Sequence, residues 1–117
     1  MSSNAGGENV PDDVIQPVTN ESAGTLEGQQ GAYSYLLTRG GVFEATLPAA
    51  GVDAFSKVFA SITERDTEDN DKPFLGGGVM TVHNVVPRDG GIVTIRADVG
   101  VPNNLNLRVD LFYYNGS

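Results

Sequence analysis

The sequence predicts a small, mainly β fold: an antiparallel sheet or sandwich in the order β-β-α-β-β-β, behind an extended N-terminal arm. Between Val79 and Tyr114, apolar and polar residues alternate in three successive stretches, VMTVHNVV, IVTIRADV and LNLRVDLFYY. That period of two is the mark of half-buried strands, whose side chains point to opposite faces. Turn-forming PRDGG and GVPNN separate the stretches. From Gly51 to Glu64 the apolar spacing lengthens to that of a helix.

Residues 1–31 differ in kind from the rest. They contain Glu8, Asp12, Asp13, Glu21 and Glu27, no Lys or Arg and no aromatic residue. Such a segment buries too little apolar surface to offset an ordering cost of roughly 1 to 2 kcal/mol per residue. Residues 1–31 are therefore expected to be an extended or disordered arm and residues 32–117 a single β-rich domain. Val10, Val14, Ile15, Val18 and Leu26 are spaced too widely for a helix and are interrupted by Pro11 and Pro17. Val14, Ile15 and Val18 suit an arm laid across another surface, including that of a neighbouring subunit.

The domain begins with AYSYLLT, RGG and VFEATLP, which reads as a hairpin turning at Gly40 and Gly41. Tyr33, Tyr35 and Leu37 share one face of its first strand, and Phe43, Ala45 and Leu47 one face of its second. In the next stretch Val52, Phe55, Val58, Phe59 and Ile62 fall on one helical stripe. The expectation there is a helix covering a sheet face, although the β-branched Val52, Val58, Ile62 and Thr63 also suit an extended chain.

An acidic run, ERDTEDNDKP, follows. Asp66, Glu68 and Asn70 occupy the first, third and fifth places of a calcium-loop pattern, which makes them a weak calcium candidate. Asp71 stands where that pattern needs glycine and Gly77 where it needs glutamate, so an EF-hand is excluded. The run otherwise reads as a solvated loop. Gly76, Gly77 and Gly78 precede a strand, not a helix, so they read as a turn or bulge and not as a phosphate cradle.

In the three-strand stretch, a two-residue turn at Asp89-Gly90 sets Val86 opposite Val93 and Val82 opposite Ala97. A loop at Pro102, Asn103 and Asn104 sets Asp98 opposite Arg108 and Arg96 opposite Asp110, placing opposite charges across the sheet. The last strand carries no Pro or Lys and ends in Phe112, Tyr113 and Tyr114. An exposed edge of that kind invites pairing. Either the first hairpin covers it or another chain does.

Composition narrows the function classes. The chain has 117 residues, a formal net charge of -8 and only 7 Lys and Arg, which argues against a direct nucleic-acid surface. It has no cysteine. SSNAGGEN after Met1 has neither a basic nor an apolar region, and no run is long enough for a membrane helix, so neither an export signal nor a membrane partner is expected. His83, the only histidine, falls on the polar strand face, and Ser34, Ser56 and Ser61 have no base at motif spacing. No enzyme activity, cofactor or catalytic residue is expected. Asn20-Glu21-Ser22 and Asn115-Gly116-Ser117 match glycosylation acceptors, a pattern of low specificity.

Two readings follow. The first is a structural or interaction subunit of a larger protein assembly, such as a small virion coat, decoration or fibre protein. It would self-associate or join a shell through Val14, Ile15, Val18, Phe112, Tyr113 and Tyr114. The alternative is a carbohydrate- or ligand-binding β module using the aromatic residues with Asn103, Asn104 and Asn106.

Overall fold

The computed structural model describes residues 14–22 and 30–116, with the backbone alone for residues 19–22. Among the described residues there are eight strands and no helix: β1 (Pro17–Ser22), β2 (Gln30–Arg39), β3 (Val42–Pro48), β4 (Lys57–Asp66), β5 (Lys72–Phe74), β6 (Thr81–Arg88), β7 (Ile92–Asp98) and β8 (Leu105–Tyr114). They form two antiparallel sheets, one in the order β1-β2-β8-β4-β5 and one in the order β3-β7-β6. Tyr35 and Leu37 of β2 and Leu107 and Val109 of β8 share one buried cluster with Leu47 of β3 and Ile95 of β7. The two sheets therefore pack face to face over a common core.

Strands adjacent in sequence are mostly not partners. The expected hairpin of β2 with β3 does not form: β2 pairs with β8, and β3 pairs with β7. Tyr33, Tyr35 and Leu37 must cover the same core as Ala45 and Leu47 from the opposite side, and a corner at Gly40-Gly41 achieves this. The corner is tied to the segment that connects β7 to β8, where Gly41 N–H donates to Val101 O at 2.7 Å and Val99 N–H donates to Gly41 O at 2.9 Å.

The expected pairing of β7 with β8 is likewise absent, and with it the two charge pairs. Arg96 instead bonds Glu44 on β3 at 2.7 Å, and Arg108 bonds Asp110 on its own strand at 3.0 Å. Asp98 Oδ1 accepts from Gly100 N–H at 2.8 Å. Surface charge pairs contribute only about 0.2 to 1 kcal/mol each. They lose to the arrangement that inserts β8 between β2 and β4 and buries Leu107, Val109, Leu111 and Tyr113. The uncovered final strand is thus covered on both sides from within the chain.

The expected helix over 51–64 is a turn followed by strand β4. Asp53 starts the turn: its side chain accepts from Phe55 N–H at 2.8 Å, and its own N–H donates to Ser56 Oγ at 2.8 Å. Side-chain bonds of this kind compete with helix formation. From Lys57 onward Val58, Ala60 and Ile62 face the core while Phe59 and Ser61 face out. Phe55 is 90% exposed and Phe59 66% exposed, the reverse of a buried helical stripe.

The β6–β7 hairpin keeps one part of its expected register and changes another. Val82 opposes Ala97, but Val86 opposes Thr94. The turn uses Asp89, Gly90 and Gly91, with φ of 93° and 76° at the two glycines, and a bulge between Val82 and Asn84 absorbs the extra residue. His83 sits in that bulge and is exposed. Val85 consequently packs against the core while Val86 points out.

The described part of the arm lies on its own domain. Val14 forms a parallel bridge with Thr46, Ile15 N–H donates to Thr46 O at 2.9 Å, and Ile15 packs against the core. β1 then pairs with β2 along Thr19–Ser22. Backbone pairing supplies the order that composition alone argued against. Val10 and Leu26 lie outside the described residues.

Candidate binding face

β8 carries the outer face of the five-stranded sheet, because alternation sends Asn106, Arg108, Asp110, Phe112 and Tyr114 outward while Leu107, Val109, Leu111 and Tyr113 enter the core. Its neighbours extend this face in cross-strand rows. Phe112 lies between Ala32 and Phe59, Asp110 between Ser34 and Ser61, and Arg108 between Leu36 and Thr63. Tyr114 stands opposite Lys57. The curled surface encloses an open groove of about 520 Å³ whose lining includes Ser34, Phe59, Ser61, Arg108, Asp110 and Phe112.

The floor of the groove is a closed polar triangle. Ser34 Oγ donates to Asp110 Oδ1 at 2.6 Å, Arg108 Nε donates to both Asp110 oxygens at 3.0 and 3.1 Å, and Arg108 Nη2 donates to Ser34 Oγ at 3.3 Å. A further bond, Arg108 Nη1 to Asp71 O at 3.3 Å, ties the acidic turn to one end of the face. Arg65 reinforces that end: its Nη1 donates to Leu107 O at 2.8 Å, and its Nε lies 3.3 Å from Asp71 Oδ1. The guanidinium and carboxylate on the floor neutralise each other, so the groove offers fixed hydroxyl and carboxylate acceptors beside the aromatic pair Phe59 and Phe112.

The calcium candidates do not converge. Asp66 Oδ1 accepts from Glu68 N–H at 3.0 Å, while Asn70 adopts a left-handed conformation with φ of 58° inside a tight turn. Among the described residues no group of three or more His, Cys, Asp or Glu is placed to hold a metal ion. His83 lies on β6, in the other sheet from Ser34, Ser61 and Asp110. His83 is therefore not brought beside these serines.

The proposed contact residues divide. Phe112 and Tyr114 belong to the outer face, but Tyr113 is buried and stacks on Tyr33 with ring centroids 6.3 Å apart. Strict alternation forces that separation within FYY. Val18 is exposed, whereas Val14 and Ile15 are engaged by β3 and the core. Asn106 shares the outer face, where its Oδ1 accepts from Thr38 Oγ1 at 3.0 Å, while Asn103 and Asn104 lie exposed in the loop before β8. Sequence reading missed Phe59, Ser61 and Ser34. The alternation of Phe59 and Ser61 with Val58, Ala60 and Ile62 was the available signal, and a helical stripe read through the same residues concealed it.

Below the face, the core tyrosines anchor the segment between β3 and β4. Tyr35 OH donates to Pro48 O at 2.7 Å, and Tyr33 OH donates to Ala50 O at 2.7 Å. Burial pushes both phenols above the usual tyrosine range, with a smaller contribution from the neighbouring tyrosine.

No helix of the described residues is long and apolar enough to cross a membrane. Compared with protein-family models, curated proteins and solved structures, the chain matches none.

Proposed function

We propose that this chain is a structural or interaction subunit of a larger protein assembly, such as a shell or fibre of the kind found in a virus particle. The observation that carries the reading is the pair Phe59 and Phe112, direct cross-strand partners on the outer face that remain 66% and 42% exposed. Tyr114 on the same face and the nearly fully exposed Phe55 in the turn before β4 add to the apolar surface. Aromatic side chains bury large areas at little rotamer cost, and contiguous exposed apolar surface marks interaction sites on soluble proteins. The described part of the arm serves this reading differently from a free exchange arm: laid on its own domain, it completes the subunit.

Light scattering across a concentration series, on the intact protein and on Phe59→Ser/Phe112→Ser, tests the reading. The intact protein is expected to grow in mass with concentration and the double variant to stay monomeric. A strictly monomeric intact protein would overturn self-assembly.

One observation favours a second reading. The groove sets the row of Ser34, Asp110 and Ser61 beside the pair Phe59 and Phe112, a mixture of hydrogen-bonding groups and ring faces that suits a neutral, polyhydroxylated ligand such as a sugar. Glycan-array binding by a monomer, lost on Phe112→Ser, would favour this reading over assembly.

A further inference from the structure

The polar floor of the groove is built from a charge pair and not from a single charged group. Asp110 lies between Ser34 and Ser61 in one cross-strand row, and the neighbouring row on the same face holds Phe59 and Phe112. Such rows are two residues apart along the strand, about 7 Å. A six-membered ring seated on the phenyls therefore carries its edge groups to Asp110 and Ser61.

The bonds already made on the floor decide what those edge groups must be. Ser34 Oγ donates to Asp110 Oδ1, Arg108 Nε donates to both carboxylate oxygens, and Arg108 Nη2 donates to Ser34 Oγ. The carboxylate is held from two sides, yet its side chain remains 40% exposed and that of Arg108 26% exposed. A carboxylate only accepts hydrogen bonds, so it offers a ligand one fixed acceptor. A cationic donor gains little there, because the Arg108 guanidinium 3.0 Å away repels it. An anion meets Asp110 itself on a chain of net charge -8. A neutral hydroxyl is the donor that neither charge opposes. Elsewhere on the face Arg65 pairs with Asp71, and Lys57 stands beyond the phenyl row, opposite Tyr114.

We propose that the pair of Arg108 and Asp110 sets the charge selectivity of the groove, admitting neutral sugars and excluding both amino sugars and uronic acids. Asp110 touches the ligand. Arg108 is a positioning residue that fixes the carboxylate and cancels its charge. This rests on the ligand reading of the groove and adds to it which charge class is taken and which two residues decide it. Loss of either partner uncovers the charge of the other, so the two losses shift preference in opposite directions. A pair with a merely structural role would weaken all ligands alike.

A glycan array printed with matched neutral, amino and uronic forms of glucose and galactose oligosaccharides tests the pair on the full chain. Mildly acidic buffer keeps the amine and the uronic carboxylate both charged. The intact protein is expected to bind a neutral probe at least about tenfold more tightly than its charged counterparts. Arg108→Gln is expected to move that preference toward the amino probes, and Asp110→Asn toward the uronic probes, each by about tenfold. Thermal melts show whether each variant is folded. If one does not fold the other decides, and if neither folds the preference of the intact chain decides alone. Equal binding of neutral and charged probes, or folded variants with unchanged preference, would overturn the charge-selective pair and leave the ligand reading standing. An array on which no probe binds the intact chain would overturn both.

Discussion

Replacing Tyr35 by Phe tests the core from two directions at once. Its ring is fully buried between the sheets and its hydroxyl donates to Pro48 O at 2.7 Å, where β3 ends. Removing the hydroxyl orphans that carbonyl, which costs about 1 to 3 kcal/mol. For a domain of this size each kcal/mol lowers Tm by about 4 °C. The second direction is pH. Burial holds the Tyr35 phenol above its ordinary range, so the folded chain keeps a proton that the unfolded chain releases near about pH 10. Stability from this group is therefore complete below that pH and is lost as pH rises toward the folded value. The slope is at most about 1.4 kcal/mol per pH unit, reached where the unfolded phenol is ionised and the folded one is not. Urea denaturation from about pH 8 to pH 11 should show the wild type losing stability faster than Tyr35→Phe at the alkaline end, so that the gap between them narrows. A gap that stays constant, or a folded wild type whose tyrosines all ionise together near about pH 10, would refute the placement of this phenol in the core.

Three further outcomes are expected. Ile95→Ala, at a fully buried site of β7, should destabilise by about 2 to 5 kcal/mol, whereas Phe59→Ala should cost less than about 1 kcal/mol; denaturant midpoints compare the two. Glu44→Ala should cost less than about 1 kcal/mol, with the difference vanishing at high salt, because its bond to Arg96 lies on an exposed face; a larger loss in thermal melts would place that pair in the interior. Deleting residues 1–22 removes Ile15 from the core and β1 from β2, so Tm should fall measurably; an unchanged Tm would restore a free arm.

Where a short-range pattern decided the structure, it was legible. The alternation in IVTIRADV and LNLRVDLFYY places Val93, Ile95, Val109 and Leu111 in the core as expected, and the glycine turn at the β6–β7 hairpin lies where the sequence puts it. Pairing between distant strands was not legible. Nothing local distinguishes a β2 that turns back on β3 from one that pairs with β8, because both arrangements bury Tyr33, Tyr35 and Leu37. Charges at Arg96, Asp98, Arg108 and Asp110 supported a hairpin at energies too small to outweigh the pairing of β8 along both edges and the burial of its inner face. At β4 the apolar residues fit both periods, and the choice rests on Phe55 and Phe59 tolerating exposure, which no propensity reports. The groove followed from that same choice: Phe59 and Ser61 join Phe112 and Asp110 only once β4 is a strand.

The central claim is that residues 57–66 are a strand laid on β8, with Phe59 and Ser61 outward and Val58, Ala60 and Ile62 toward the core. Nuclear Overhauser contacts between Hα atoms test it most directly. Pairs that do not exchange backbone bonds bring these atoms close, and between β4 and β8 they are Val58 with Tyr113, Ala60 with Leu111 and Ile62 with Val109. Strong Hα–Hα contacts at these three pairs are the expected result. A helical pattern instead, with contacts from each residue to the third one along and none to β8, would contradict the strand and the outer face together.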